Sequence, residues 1–190
     1  MELGWKAENP AASIQPFEER ESQRFLDAEE LSLFFRALAE EKNETIRDYI
    51  LLSLLTGGPQ SNLLEMQRSE IKRARALWEI PAEKSKRKQP MDVVLVPVVL
   101  ELLGRRRKAI DCDPRWLFPG RYPKKSGDLS DPFGAWKGVL DRAGLNDLPI
   151  HGLRRTHGTW QAILGSSLPV IGKSLGHSPG SAKRAFSRMP

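Results

Sequence analysis

Three short stretches of this chain carry side chains suited to handling a phosphate ester. The first is His151-Gly152-Leu153-Arg154. Residues three apart share a helix face, so an imidazole and a guanidinium can converge at a helix start, which itself attracts phosphate. The second is Leu175-Gly176-His177, where glycine can end a helix and turn the following imidazole into a cleft. The third is the basic run Lys84-Ser85-Lys86-Arg87-Lys88, whose long amines could reach a leaving oxygen or touch backbone phosphates. Each has a plain structural alternative: a capping histidine with a surface ion pair, a structural hydrogen-bonder, and a solvated tip. Together they supply two imidazoles, a guanidinium and an amine, without the paired carboxylates that hold catalytic metal ions. That inventory suits metal-free phosphoryl transfer, in which fixed cations stabilise charge on the non-bridging oxygens. It suits a metal-dependent nuclease poorly, and no cofactor is expected.

The charge distribution points the same way. The formal net charge is +6, but residues 1–45 hold 11 acidic and 5 basic side chains, whereas residues 46–190 hold 25 basic and 13 acidic. Such a field favours polyanions, because each neutralised phosphate releases counterions. Cys112 is the only cysteine, which excludes an intramolecular disulfide and any zinc site built on several thiolates. No apolar run is long enough to span a membrane, and a reducing, cytoplasmic setting is the simplest expectation.

The elements that must position these groups are mostly helical. Residues 1–24 are polar and aperiodic and read as a linker or arm; residues 25–190 read as one domain. Asp27 and Glu30 form a capping-box pair ahead of Leu31, Phe34, Phe35 and Leu38. "TIRDYILLSLLTGG" (45–58) is apolar around most of its circumference and predicts a central, buried helix stopped by Gly57-Gly58-Pro59. Ser61 or Asn62 can cap a third helix. The β-prone runs "ALWEIPA" and "MDVVLVP" flank the basic stretch and predict a hairpin with a charged tip. Pro97 opens a helix through "VVLELLGRRRKAI", Ser130 or Asp131 can cap one containing Trp136, and "HGLRRTHGTWQAIL" (151–164) reads as another. Ser167 can cap a short helix ending at Gly176, and "SAKRAFSR" can form a last turn or two. The fold class is mainly α with a small antiparallel β-sheet.

From "RFLDAEELSLFFRAL" through "IRDYILLSLLTGG", "SNLLEM", "WEIPAEKSK", "WLFPG" and "IHGLRRTHGTW" to "IGKSLGHS", the chain resembles the catalytic domain of a tyrosine recombinase, specifically a phage-type integrase. The ordered pair "HGLRRT" and "LGH" carries most of that specificity. "GWKAENPA" (4–11) is similar to the segment that joins the family's core-binding and catalytic domains. The resemblance thus implies a chain that begins near that junction and lacks the family's usual C-terminal extension. In the family a tyrosine hydroxyl attacks a DNA phosphodiester, forming a 3′-phosphotyrosyl link and releasing a 5′-hydroxyl. The implied partners are double-stranded DNA and other integrase protomers assembled on it.

Carried over by position, Arg154 matches the family's second arginine and His151 its acid/base companion, with His177 the later donor. Lys86 best matches the hairpin lysine that protonates the leaving oxygen, and Lys84 is its near competitor. Lys84, Arg87, Arg155 and Lys173 are the implied DNA-backbone contacts. Two positions depart from the pattern. The nucleophile position is Phe186, which has no hydroxyl, and Pro59 stands where the first arginine belongs. Tyr49 and Tyr122 are the only tyrosines, and neither lies in a matching context. The resemblance therefore implies an integrase domain deficient in cleavage, or a non-catalytic DNA-binding regulator or decoy derived from one.

Overall fold

The computed structural model describes residues 24–85, 88–109, 115–119, 129 and 132–177. Seven α-helices and one three-stranded sheet occupy them: α1 (Ala28–Ala39), α2 (Glu44–Thr56), α3 (Gln60–Leu64), β1 (Ile71–Lys72), β2 (Leu77–Ile80), β3 (Met91–Val94), α4 (Pro97–Ala109), α5 (Phe133–Ala143), α6 (Gly152–Ile163) and α7 (Leu168–Ser174). None of the described helices is long and apolar enough to cross a membrane.

The helix boundaries follow local chemistry. Asp27 and Glu30 form the expected reciprocal capping box at α1, and Arg24 pairs with Glu30 behind it. Asn43 caps α2 through Thr45 and Ile46, and Gly57 ends it at φ +57°, a left-handed conformation that favours glycine. α2 buries Ile46, Tyr49, Ile50, Leu52 and Leu54, as its apolar circumference requires. The expected Ser61 or Asn62 cap of α3 is not what forms. Pro59 is the N-cap residue, with φ held at −61° by its ring, and no side chain caps the helix. Asn62 is spent elsewhere: its amide donates to the Lys84 carbonyl at 3.0 Å, joining α3 to the hairpin.

The hairpin forms as predicted, with β2 and β3 antiparallel and Trp78 opposite Val93. β1 adds a third strand to it in the order β1-β2-β3, which two residues are too few to announce by periodicity. Lys86 and Arg87, at the tip, lie outside the described residues, as do the proposed caps Ser130 and Asp131, the "SAKRAFSR" segment with Phe186, and nearly all of the 1–24 arm. α5 begins after Pro132, and its Trp136 indole donates to the Leu148 carbonyl at 2.9 Å.

α2 is the hub: it packs against α6, α3 and α4, while α1 packs on α5 and α7 touches both α6 and β3. Two long-range devices hold this arrangement. Leu26 donates its amide to Thr156 Oγ1 and accepts from the Trp160 indole, pinning the start of the chain to α6. Arg106 lies inside rather than on a basic surface, with 5% of its side chain exposed. It pairs with Asp48 at 3.1 Å, donates to Thr45 and the Leu117 carbonyl, and stacks over Phe118. Removing one partner of such a pair strands the other's charge in the core. Asp48→Ala should therefore lower unfolding free energy by about 3–5 kcal/mol in urea titration. Asp48→Leu combined with Arg106→Met should recover most of the loss.

Candidate functional site

α6 organises the site because its first turn carries both His151 and Arg154. His151 is the N-cap residue, its side chain exposed and making no capping bond. Arg154, one turn on, points inward. Its guanidinium donates to the Gly57 carbonyl at 2.5 Å and to the Leu175 carbonyl. One side chain thus ties three segments: α6, the turn after α2 that leads to Pro59, and the turn after α7 that leads to His177. Burial pushes the Arg154 guanidinium down to about 10, so it stays charged at neutral pH. Among the described residues no carboxylate pairs with it, and two backbone carbonyls use only part of its five N–H groups.

His151 and Arg154 line a small cleft together with Tyr49, Ser53, Gly58, Gln60, Leu63 and Ile150. Pro59 lies at its edge, half-buried, and offers no side-chain donor. Gly57 cannot readily be larger: a Cβ there would sit 2.6 Å from the His157 ring, besides the strain of its positive φ.

His157 was not singled out by motif, although its spacing of three from Arg154 puts it on the same helix face. Its Nδ1 lies 3.0 Å from the Leu54 carbonyl, so that nitrogen carries the proton and Nε2 accepts from the Gln161 amide at 2.8 Å. Gln161 in turn accepts from Ser174. This chain of bonds links α2, α6 and α7 behind the cleft. His177 follows Gly176, whose φ of +60° and close approach to Met91 suit glycine, and its amide donates to the Gly172 carbonyl at 2.7 Å. Arg155 is half-buried beside Arg154 in sequence, and Lys173 is exposed near the end of α7.

The hairpin separates the two candidate lysines. The Lys84 ammonium is 2.6 Å from the Glu70 carboxylate and 2.6 Å from the Glu65 carbonyl, with the Trp116 ring beneath it. Glu70 is itself buried, accepting from the Trp78 indole and the Gln67 amide. Lys84 is therefore held against the domain's body. Lys86 and Arg87 lie outside the described residues, so the structure places neither.

The hydrogen-bonded role of His157 has a pH signature. Burial holds its imidazole below the ordinary histidine range, outweighing the opposing effect of the Leu54 carbonyl. The unfolded chain, whose histidine titrates near 6.5, then binds more protons in mild acid. This contribution to stability is complete above about pH 6.5 and is lost as pH falls toward the depressed folded value. Denaturation midpoints should drop from pH 7.5 to pH 5, and His157→Gln should shrink that drop.

Comparisons with known proteins place this geometry in a family. The model of the phage integrase family matches residues 24–186. The prophage integrase IntF of Escherichia coli (strain K12) is 27% identical over 169 residues, which is 87% of this chain and 35% of that protein. The chain thus spans about a third of that relative's length. The catalytic domain of bacteriophage HP1 integrase has the same fold, with a TM-score of 0.63, 19% identity, and coverage of 87% of this chain and 88% of that one. The site-specific recombinase XerH, solved bound to its difH substrate before cleavage, aligns at a TM-score of 0.68 with 20% identity over 87% of this chain and 50% of that one. With a family match over most of its length, this chain belongs to the phage integrase family and has the fold of a tyrosine recombinase catalytic domain.

Proposed function

We propose that this chain is an integrase catalytic domain that grips the phosphodiester backbone of double-stranded DNA in the cytoplasm but does not cleave it by the tyrosyl route. The observation that carries the reading is Arg154: a half-buried guanidinium without a carboxylate partner among the described residues, lining a cleft with His151. A charge desolvated in this way is stabilised by an arriving anion, and a phosphodiester fits the donor set. The excess of basic side chains after residue 45 draws the polyanion in.

In this reading Arg154 holds a non-bridging oxygen, His151 is its acid/base companion and His177 supplies a second donor. Lys86 is the hairpin lysine, since Lys84 is engaged with Glu70. Arg87, Arg155 and Lys173 contact the backbone and position the duplex without reading its sequence. Phe186 stands at the nucleophile's position in the sequence but has no oxygen to form the covalent bond. Pro59 removes one bidentate, charge-assisted contact, a change of a kind that costs about 10²–10³ in rate. The same two losses support a second reading: a domain that occupies recombination sites, or joins active integrase protomers on them, as a regulator.

Backbone recognition makes binding steeply salt-dependent. With about six phosphate contacts, duplex affinity should fall about 10³-fold between 50 and 200 mM salt. Lys86→Ala should reduce the slope of log affinity against log salt by about one contact. Lys84→Met should instead lower thermal stability, because it strands the buried Glu70 carboxylate. Affinity that is flat across this salt range would contradict a backbone-contacting role.

A further inference from the structure

The floor of the cleft holds a polar group that the site as described does not use. Tyr49 is 0% exposed, and its hydroxyl has no hydrogen-bond partner. Leaving a buried hydroxyl unpaired costs on the order of 1–3 kcal/mol, so such groups call for an explanation. Burial pushes the phenol up to about 12, against the opposing effect of hydrogen bonding from the Ser53 and Gln60 side chains, neither of which reaches full hydrogen-bond geometry to the hydroxyl. The group therefore remains a protonated donor at neutral pH rather than a phenolate nucleophile. Ser53 donates its own hydrogen to the Tyr49 carbonyl at 2.8 Å, and its oxygen remains an acceptor that competes with Gln60 for the Tyr49 hydroxyl. Gln60 is half-buried on the cleft wall, beside Pro59 in sequence. A carboxamide can accept through its oxygen while its nitrogen donates two hydrogens.

We propose that Gln60 supplies the phosphate donor missing at Pro59, and that Tyr49 positions it by donating its hydroxyl hydrogen to the Gln60 carboxamide oxygen when DNA is bound. This rests on the DNA-binding reading above. A neutral pair replaces a charged side chain: the amide nitrogen faces the non-bridging oxygen, and the buried phenol behind it fixes which way the amide points. In the free protein the Tyr49 hydroxyl and Gln60 are close but short of hydrogen-bond geometry, and DNA binding completes the bond. Gln60 is the residue that touches phosphate; Tyr49 is a positioning residue.

The test is a double-mutant cycle on duplex binding at fixed low salt, using the whole chain. Gln60→Ala should weaken binding about tenfold and Tyr49→Phe about three- to fivefold. Tyr49→Phe should have no further effect in the Gln60→Ala background. Thermal melting supplies the second readout. Tyr49→Phe should melt at the same temperature as the unaltered chain or higher, because it deletes an unpaired buried hydroxyl; a structural hydroxyl would do the reverse. Normal binding by Gln60→Ala, or two effects that simply add, would overturn the proposal while leaving DNA binding in place. Absence of duplex binding by the unaltered chain would overturn the DNA-binding reading, and this inference with it.

Discussion

The site depends on the burial of one cation. Arg154 is partly withdrawn from water and held by two backbone carbonyls instead of a carboxylate. Carbonyls fix the guanidinium's plane without cancelling its charge, so the fold keeps a full positive charge beside a cleft at some cost in desolvation. The same two bonds set the positions of the turns after α2 and α7. If Arg154 moved, the edge carrying Pro59 and Gln60 and the turn leading to His177 would move with it. Geometry and electrostatics at this site are therefore one constraint.

Much of the remaining polar structure keeps the other charges away from that cleft. Arg106 is matched to Asp48 in the core, Lys84 to Glu70 beneath the hairpin, and Arg24 to Glu30 at the start of α1. Each of these cations has a carboxylate; Arg154 has none among the described residues. His157 is kept neutral and locked between the Leu54 carbonyl and Gln161. These paired cations hold the fold, whereas Arg154 keeps N–H groups available at the cleft.

The helices, the hairpin and the pairing of His151 with Arg154 were legible in the sequence because each rests on local spacing: a capping box three residues long, an apolar circumference, an i, i+3 pair. What escaped rests on contacts across long separations. Nothing local in the run Arg105–Arg107 marks its middle residue for the interior, yet Arg106 meets an aspartate 58 residues earlier. The sequence favours Lys86 over Lys84 as the hairpin lysine only by register; the pairing of Lys84 with Glu70, 14 residues earlier, appears only in the fold. Tyr49 reads only as a core residue of an apolar helix; its unpaired hydroxyl at the floor of the cleft is visible only once α3 and α6 are in place. The absences at positions 59 and 186, by contrast, are properties of the sequence itself.

Those absences make the central claim, retention of a phosphate grip without tyrosyl chemistry, open to a direct measurement. The unaltered chain and a Pro59→Arg/Phe186→Tyr double variant would be incubated with a library of nicked duplexes and resolved on native and denaturing gels. The unaltered chain should shift the duplex on the native gel and leave no covalent protein–DNA band on the denaturing one, whereas the double variant should yield that band. A covalent adduct formed by the unaltered chain would contradict the claim.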